Sequence, residues 1–468
     1  MTSLTKILLQ KSYSDLLQQP INQIYRDIKS VHKDAFADNE RIVFIDDVVD
    51  ELPAKTAMLK YIDRILEHLD IDKFFIEVIN WGNIHVKNPT NYAIPDSMCI
   101  TPYLSLEIDV DGGFHRCCKW DRDVSAPKVQ TTGFVDYFSS IEQQKLKQEF
   151  LDGKRPEQCY QCWKVEDAGG RSKRINDNQV FKDYQFDIDY NNIKSPRLLN
   201  LDIKLGNKCN LACRICSPRC SSTWSKFSKK QSIEFDWVDN KTSTFWEDLI
   251  KISEEVKYIT FAGGEPLLDK SHRKLLQYFI DNDLSKDISL HYNTNGTVYA
   301  DFLFEYWDQF KLVELSFSID NIEKQFEYER YGIPWDQVDF NVKKYSQDGK
   351  YNVNFFSVIS ALNFYNSYNL YSYAKTLGLD VTFSLLEDPQ ELSIINLPIG
   401  VKKKITEKLL TTNDNLFIDK VNSFISIMNN QNEKYNFLDY LAEQDSLRGQ
   451  QFSEYYPEYF KLIAQEKF

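Results

Sequence analysis

No apolar run in this 468-residue chain is long enough to span a membrane. A surplus of basic charge is also missing. Lysine and arginine number 56 against 69 acidic residues, for a formal net charge of −13. A protein that grips phosphate backbones needs a basic stripe, so nucleic acid is not an expected partner. There is no internal repeat and no low-complexity linker. The opening "MTSLTKILLQKSYSDLLQQP" is interrupted by polar residues every few positions. It reads as an amphipathic helix rather than an export signal, and the expected compartment is the cytoplasm. Thiols stay reduced there, so disulfides are not expected.

What is present is a substantial apolar fraction, 42%, beside 27% charged residues. The length suggests two to four domains. Nine cysteines then need a purpose other than disulfides: Cys99, Cys117, Cys118, Cys159, Cys162, Cys209, Cys213, Cys216 and Cys220. "KCNLACRIC" places Cys209, Cys213 and Cys216 in a C-x3-C-x2-C spacing. A structural zinc takes four protein ligands, so three sulfurs leave one metal position open.

The clearest pattern runs over 195–390. "LLNLDIKLG" and "LVELSFSID" alternate strictly, and "VKYITFAGG", "DISLHYNTNG", "YNVNFFSVIS" and "LDVTFSLLE" complete six strands. Helical segments near 243–255, 270–284, 300–310, 335–348 and 366–377 separate them. The alternation predicts parallel βα units. A doubly wound sheet is apolar on both faces. The polar second face of the first and fourth strands therefore favours a partial (β/α)6 barrel with a wet lumen. Residues 1–95 read as a small α/β unit with strands near 41–49 and 73–80. Residues 96–180 read as a loop-rich domain organised by metal, and 391–468 as a helical extension.

In βα barrels the active site lies at the C-terminal ends of the strands. The three-cysteine stretch follows the first strand there. "GGEP" (Gly263, Gly264, Glu265, Pro266) follows the second and "NTNG", with Asn293 and Asn295, the third. Asp320 ends the fourth strand, and "SALN", from Ser360 to Asn363, follows the fifth.

"CNLACRIC", "GGEP" and "NTNG" in this order resemble the radical S-adenosylmethionine (SAM) superfamily, over roughly 195–390. The resemblance implies that Cys209, Cys213 and Cys216 hold a [4Fe–4S] cluster by three irons and that SAM takes the fourth. One electron then cleaves SAM to methionine and a 5′-deoxyadenosyl radical, which abstracts a hydrogen atom from the substrate. Gly263 and Gly264 would let the backbone approach SAM, and Glu265 would receive its ammonium group. Asn293 and Asn295 would face the ribose, Arg330 of "YERYG" the carboxylate, and Ser360 and Asn363 the adenosine. The family has an aromatic residue before the third cysteine; here it is Ile215.

Cys99, Cys117, Cys159 and Cys162 offer four more sulfurs. "DVDGGFHRCC", with Gly112 in the turn, resembles the twitch domain, a short relative of the SPASM domain. That implies a second, auxiliary [4Fe–4S] cluster, placed before the barrel instead of after it. Ligand count alone leaves a tetrahedral zinc open. Cys118 can replace Cys117 as the ligand, and whichever is left over joins Cys220 as a spare thiol. Glu166, Arg171, Ser172 and Arg174 form a polar run that reads as a solvated linker or a substrate contact.

The expected activity is radical SAM modification of a ribosomally made peptide, fed by a flavodoxin- or ferredoxin-type reductant. Two alternatives stand. One is radical SAM chemistry on a small sugar or nucleotide precursor. The other is a non-catalytic, metal-stabilised binding module.

Overall fold

The structure is a computed structural model. It describes residues 95–468 except 121–125, 183, 185–197, 228–234, 236, 239–243, 431–434 and 467–468, and within 1–94 it describes two strands. The chain divides into two compact units, Met1–Ala93 and Ile94–Phe468. In the first, β1 (Ile42–Ile45) pairs in parallel with β2 (Ile76–Ile79), Ile42 opposite Ile76. Both strands fall inside the expected segments. The helices expected around them, including the opening amphipathic one, lie outside the described residues.

The second unit is built on one sheet. Its strands are β3 (Ser105–Ile108), β4 (Phe114–His115), β5 (Asn200–Lys204), β6 (Tyr258–Ala262), β7 (Ser289–Thr294), β8 (Leu312–Ser318), β9 (Asn352–Ile359) and β10 (Val381–Leu385). They lie in the order β10-β9-β8-β7-β6-β5-β3-β4. The strands from β5 to β10 are all parallel, each beside its neighbour in the chain. A doubly wound sheet reverses its strand order at a switch point, and this one does not.

Helices of two turns or more are α1 (Ile141–Leu151), α2 (Tyr160–Asp167), α3 (Lys173–Val180), α4 (Phe245–Ile252), α5 (His272–Asp281), α6 (Trp335–Asp348), α7 (Ser367–Thr376), α8 (Ile399–Leu410), α9 (Asn415–Asn429), α10 (Phe437–Arg448) and α11 (Pro457–Ala464). Each of the six parallel strands lies within its expected stretch, and α4 to α7 cover four of the five expected crossovers; the fifth, near 300–310, is a 3-10 turn, Asp301–Leu303, and a four-residue helix, Phe304–Trp307.

The sheet's two faces differ as the alternation requires. Leu201, Ile203, Ile259, Phe261, Leu290, Tyr292, Leu315 and Phe317 are sealed in the main core. Each such side chain contributes about 1.5–3 kcal/mol on burial. Across the other face one register row runs Glu107, Asp202, Thr260, His291 and Glu314. Hydrogen bonds cross this polar face. His291 meets Ser316 at 2.8 Å, Ser316 donates to Asn354 at 2.8 Å, and Asn354 donates to Glu314 at 2.6 Å. Lys119, just beyond edge strand β4, donates to Ser384 on the opposite edge strand β10 at 3.2 Å. The twisted sheet thus curls until its two edges are bridged.

Two expectations for 96–180 are corrected. The second half of this segment, 134–180, is mainly helical where a loop-rich domain was expected. Ser140 caps α1 by accepting from Gln143 N, and Ser172 caps α3 by accepting from Ile175 N. Met98, Ile100, Tyr103, Leu104, Leu146, Phe150, Trp163 and Phe181 form a small core of their own. The helices are too short to show a long period in sequence. Nor is the polar run a solvated linker. Arg174, 8% exposed, forks onto Glu166 at 2.6 and 2.9 Å and donates to the carbonyls of Met98 and Asp96 at 2.6 and 2.8 Å. Ser172 donates to the same carboxylate, so these residues clamp α2 and α3 to the segment before Cys99. Arg171 stays at the surface, donating to Asn176 at 3.2 Å. The C-terminal segment carries α8 to α11.

Candidate active site

The loop after β5 carries Cys209, Cys213 and Cys216, and its backbone is held from several sides. Ala212 N donates to Tyr331 O and Arg214 N to Glu329 O, both at 2.8 Å. Cys209 O accepts from Thr223 Oγ1 at 2.7 Å, and Cys213 O accepts from Trp224 Nε1 at 2.7 Å. "YERYG" therefore lies alongside the cysteine loop. Gly332, at φ +131°, has no room for a side chain, since an added Cβ would sit 3.0 Å from Asn210 O.

The "GGEP" loop packs on the start of the same loop. Gly264 N donates to Gly206 O and Glu265 N to Lys208 O, each at 2.8 Å. A Cβ on Gly264 would meet Lys208 O at 2.3 Å, so this glycine serves the contact between two backbone loops. Pro266 opens a short 3-10 turn capped by the Glu265 side chain. Glu265 is 1% exposed. Its Oε1 accepts from Leu267 N at 3.0 Å and Thr294 Oγ1 at 2.8 Å, and its Oε2 from Asn295 N at 2.6 Å. A carboxylate has about four lone-pair positions, so one acceptor site remains for a ligand. Burial pushes its carboxyl up to about 7 against the pull of those bonds and of Arg330.

Two sulfurs receive N–H donors. Asn295 Nδ2 points at Cys209 Sγ at 3.8 Å, and Arg330 Nη1 at Cys213 Sγ at 3.9 Å. Arg330 also pairs with Asp320 at 2.7 Å, and Asp320 accepts from Val358 N at 2.8 Å. Asn295 further bonds Asn210 at 3.0 Å, and its carbonyl accepts from Thr297 N at 2.9 Å. Asn293 lies on the polar face of β7, in register with Ser316. Ser360 and Asn363 close the "SALN" turn on each other, with Ser360 N donating to Asn363 Oδ1 at 2.8 Å. The structure thus gathers Glu265, Asn295, Arg330 and the three cysteines around one loop. It gives Ser360 and Asn363 a role in turn geometry.

The donor set fits a cluster bound through Cys209, Cys213 and Cys216. Three thiols share one loop, and N–H groups aim at two of the sulfurs, which suits thiolate acceptors. Burial pushes the Cys209 thiol up to about 12, a balance that a bound cation reverses. Cys220 is the thiol whose charge Cys216 feels most.

Of the other five cysteines, Cys99, Cys117, Cys159 and Cys162 share one neighbourhood. Cys99 feels the charge of Cys162, Cys159 that of Cys99 and Cys162, and Cys117 that of Cys118 and Cys99. Cys118 feels the charges of Lys173, Asp202, Glu107 and Lys119. Among the described residues, no three His, Cys, Asp or Glu side chains converge on a point suited to a single metal ion. Sequence reasoning did not single out Arg214, Trp224, Asp445 or Arg448, whose partners lie far along the chain.

The sequence profile of the radical SAM superfamily matches residues 203–362. This radical SAM domain contains the three-cysteine loop, "GGEP", "NTNG", Arg330 and Ser360, and it marks the chain as an enzyme with a [4Fe–4S] cluster and SAM as cofactors. No curated protein matches the sequence significantly. Among solved structures, anSMEcpe with bound AdoMet is similar at 20% identity, over 54% of this chain and 67% of that one, with a TM-score of 0.34. SuiB of Streptococcus suis bound to S-adenosylmethionine follows at 14% identity, 58% of each chain and a TM-score of 0.35. SuiB bound to the precursor peptide SuiA is similar at 15% identity, over 66% of this chain and 68% of that one, with a TM-score of 0.33. Among the described residues no helix is long and apolar enough to cross a membrane.

Proposed function

We propose that Cys209, Cys213 and Cys216 hold the SAM-binding [4Fe–4S] cluster at the rim of a six-stranded partial barrel, and that Cys99, Cys117, Cys159 and Cys162 hold an auxiliary one. The carrying observation is the meeting of "GGEP", "NTNG" and "YERYG" on the three-cysteine loop, with Asn295 and Arg330 donating to its sulfurs. When bound, the cluster supplies the electron that cleaves SAM to a radical that takes a hydrogen atom. The chain's own groups have simpler tasks. Arg330 and Asn295 stabilise charge on the sulfurs. Glu265 ties two rim loops together and keeps one acceptor position for the SAM ammonium. The polar face of the sheet, with Asp202, His291, Ser316 and Asn354, is the surface a polar substrate meets. That substrate is a ribosomally made peptide, and the electron comes from a flavodoxin- or ferredoxin-type donor. The acidic balance of the chain suits a basic precursor.

Cys117 is the fourth auxiliary ligand in this reading, and Cys99 is among the charges it feels.

The test is anaerobic reconstitution followed by dithionite and SAM. 5′-Deoxyadenosine should be released by the wild type and lost in Cys213→Ala. Equal turnover in the Cys209/Cys213/Cys216→Ala variant would end this reading. Addition of basic peptides, or of sugar nucleotides in parallel, should raise the release with the peptide only.

A further inference from the structure

The C-terminal segment reads from sequence as a helical extension. The structure ties α10 to the three-cysteine loop. Arg448, its last residue, is 6% exposed. It donates to Ala212 O through Nη2 at 2.9 Å and Nε at 3.3 Å, while Nη1 is fixed by Gln444 Oε1 at 2.6 Å. Its guanidinium lies over the Trp224 ring, 4.7 Å from the centroid. Trp224 in turn donates to Cys213 O at 2.7 Å.

The same helix holds the loop a second time. Arg214, fully buried, donates to Asp445 at 2.7 Å, to Gln450 at 2.9 Å and to Tyr328 O at 2.9 Å. Asp445 also accepts from Tyr328 OH at 2.8 Å and from Phe452 N at 2.7 Å. The backbone between Cys209 and Cys216 is thus gripped at residues 212 and 214 by one helix that lies more than two hundred residues away in sequence.

Charge follows from the same placement. Cys213 feels the positive charges of Arg330 and Arg448, opposed by Asp320. Arg330 reaches the sulfur itself, whereas Arg448 sits behind the loop, at the carbonyl next to the cysteine. Potentials of iron–sulfur clusters depend on local charge and on hydrogen bonds around the sulfurs. A cation held in a buried site favours the state with one more electron.

We infer that Arg448 is a positioning residue of the three-cysteine site: from the C-terminal helix it fixes the loop at Ala212 and makes the cluster bound there easier to reduce. This rests on the reading that Cys209, Cys213 and Cys216 hold a [4Fe–4S] cluster. The redox step is the uptake of one electron from dithionite, with no proton or leaving group involved.

The experiment compares full-length wild type, Arg448→Gln and Arg448→Lys after anaerobic reconstitution. Iron and sulfide are counted, and the clusters are titrated with dithionite at set potentials under electron paramagnetic resonance. The three-cysteine cluster is identified as the signal that changes when SAM is added. Arg448→Gln should keep its iron while its reduced-to-oxidised ratio at a given potential falls by about tenfold, as loss of one buried neighbouring charge predicts. Arg448→Lys should stay near the wild type, since it keeps the charge. A wild-type titration in Arg448→Gln at full iron overturns the inference. So does an equal shift, or loss of iron, in Arg448→Lys. If Arg448→Gln takes up no iron at this site, the lysine variant decides: wild-type-like behaviour supports the inference, and any other result overturns it. A wild type with no SAM-responsive signal brings down the proposed function instead, which keeps the two failures distinct.

Discussion

Cys209, Cys213 and Cys216 sit on one loop, and most of what holds that loop is backbone. Ala212 N, Arg214 N, Gly206 O, Lys208 O and Cys213 O are all tied to neighbouring segments. Cys99, Cys117, Cys159 and Cys162 come from separate segments, two of them at the start of α2. Those segments rest on a small core and on the Arg174–Glu166 clamp. The first site is a loop inserted into a finished scaffold. In the proposed second site the cysteines stand in the segments that make the scaffold, with Cys99 and Cys159 packed on its core. The first should therefore survive loss of its sulfurs as a fold, and the second should not.

Removing the sulfurs tests that contrast with the largest effect. If both sites carry [4Fe–4S], the chain holds about eight irons. Cys209/Cys213/Cys216→Ala should halve that number and abolish 5′-deoxyadenosine release, yet leave the unfolding midpoint close to that of the metal-free wild type. Cys99/Cys159/Cys162→Ala should also halve the iron, and in addition open the helices of 141–180 to protease. Zinc at the second site, measured by elemental analysis, would sink its assignment to iron.

A smaller change attacks the scaffold of the second site without touching a ligand. Glu166→Gln leaves the Arg174 guanidinium buried with a neutral partner. Breaking a buried pair from one side costs about 3 kcal/mol. Protease resistance of 96–180 and iron at the four-cysteine site should fall together, while the SAM-responsive signal stays. Loss of that signal as well would erase the contrast between the two sites.

The difference also explains what could be read in advance. Three cysteines within one loop, and strands with a strict two-residue period, are local patterns. The six parallel strands, the crossovers and the rim loops were therefore legible from sequence. So was the polar face of the sheet, because Asp202 and Glu314 alternate with buried aliphatics. The clamp from Arg174 to Glu166 and the grip of Arg448 on Ala212 were not. Each is a pairing of ordinary charged residues whose meaning depends on how distant segments pack. "GGEP" was legible as a rim loop but only partly as chemistry. Its Gly264 and Glu265 serve contacts between loops, which spacing cannot reveal.

Glu265→Gln sharpens the comparison within the first site. An amide keeps one oxygen but turns an N–H group toward Leu267 N and Thr294, or toward Asn295 N. A hydrogen bond to a charged group contributes about 1.5–3 kcal/mol. SAM binding should weaken by roughly ten- to a hundredfold, with iron content normal. Equilibrium binding to the reconstituted protein measures it. An unchanged constant would mean that the carboxylate serves only the junction of the two rim loops.

The smallest expected effect is an acid response confined to the scaffold of the first site. His272, on α5, is fully buried between the rings of Phe261 and Tyr292, at centroid distances of 5.3 and 5.8 Å. Burial pushes its imidazole down from 6.5 to about 4. The folded state therefore holds it neutral at pH values where the unfolded chain is protonated. Between those two values the unfolded chain binds more protons, so stability rises with pH and is lost as pH falls. Acidification from pH 6.5 to 5 should cost about 1.5 kcal/mol from this residue alone. His272→Phe should flatten that part of the pH–stability curve. Hydrogen exchange should locate the acid loosening in β6 and β7, which carry Phe261 and Tyr292, with α1 to α3 unaffected over the same range. Loosening of α1 to α3 first would show that the four-cysteine region, and not the strand scaffold, sets the acid limit of the fold.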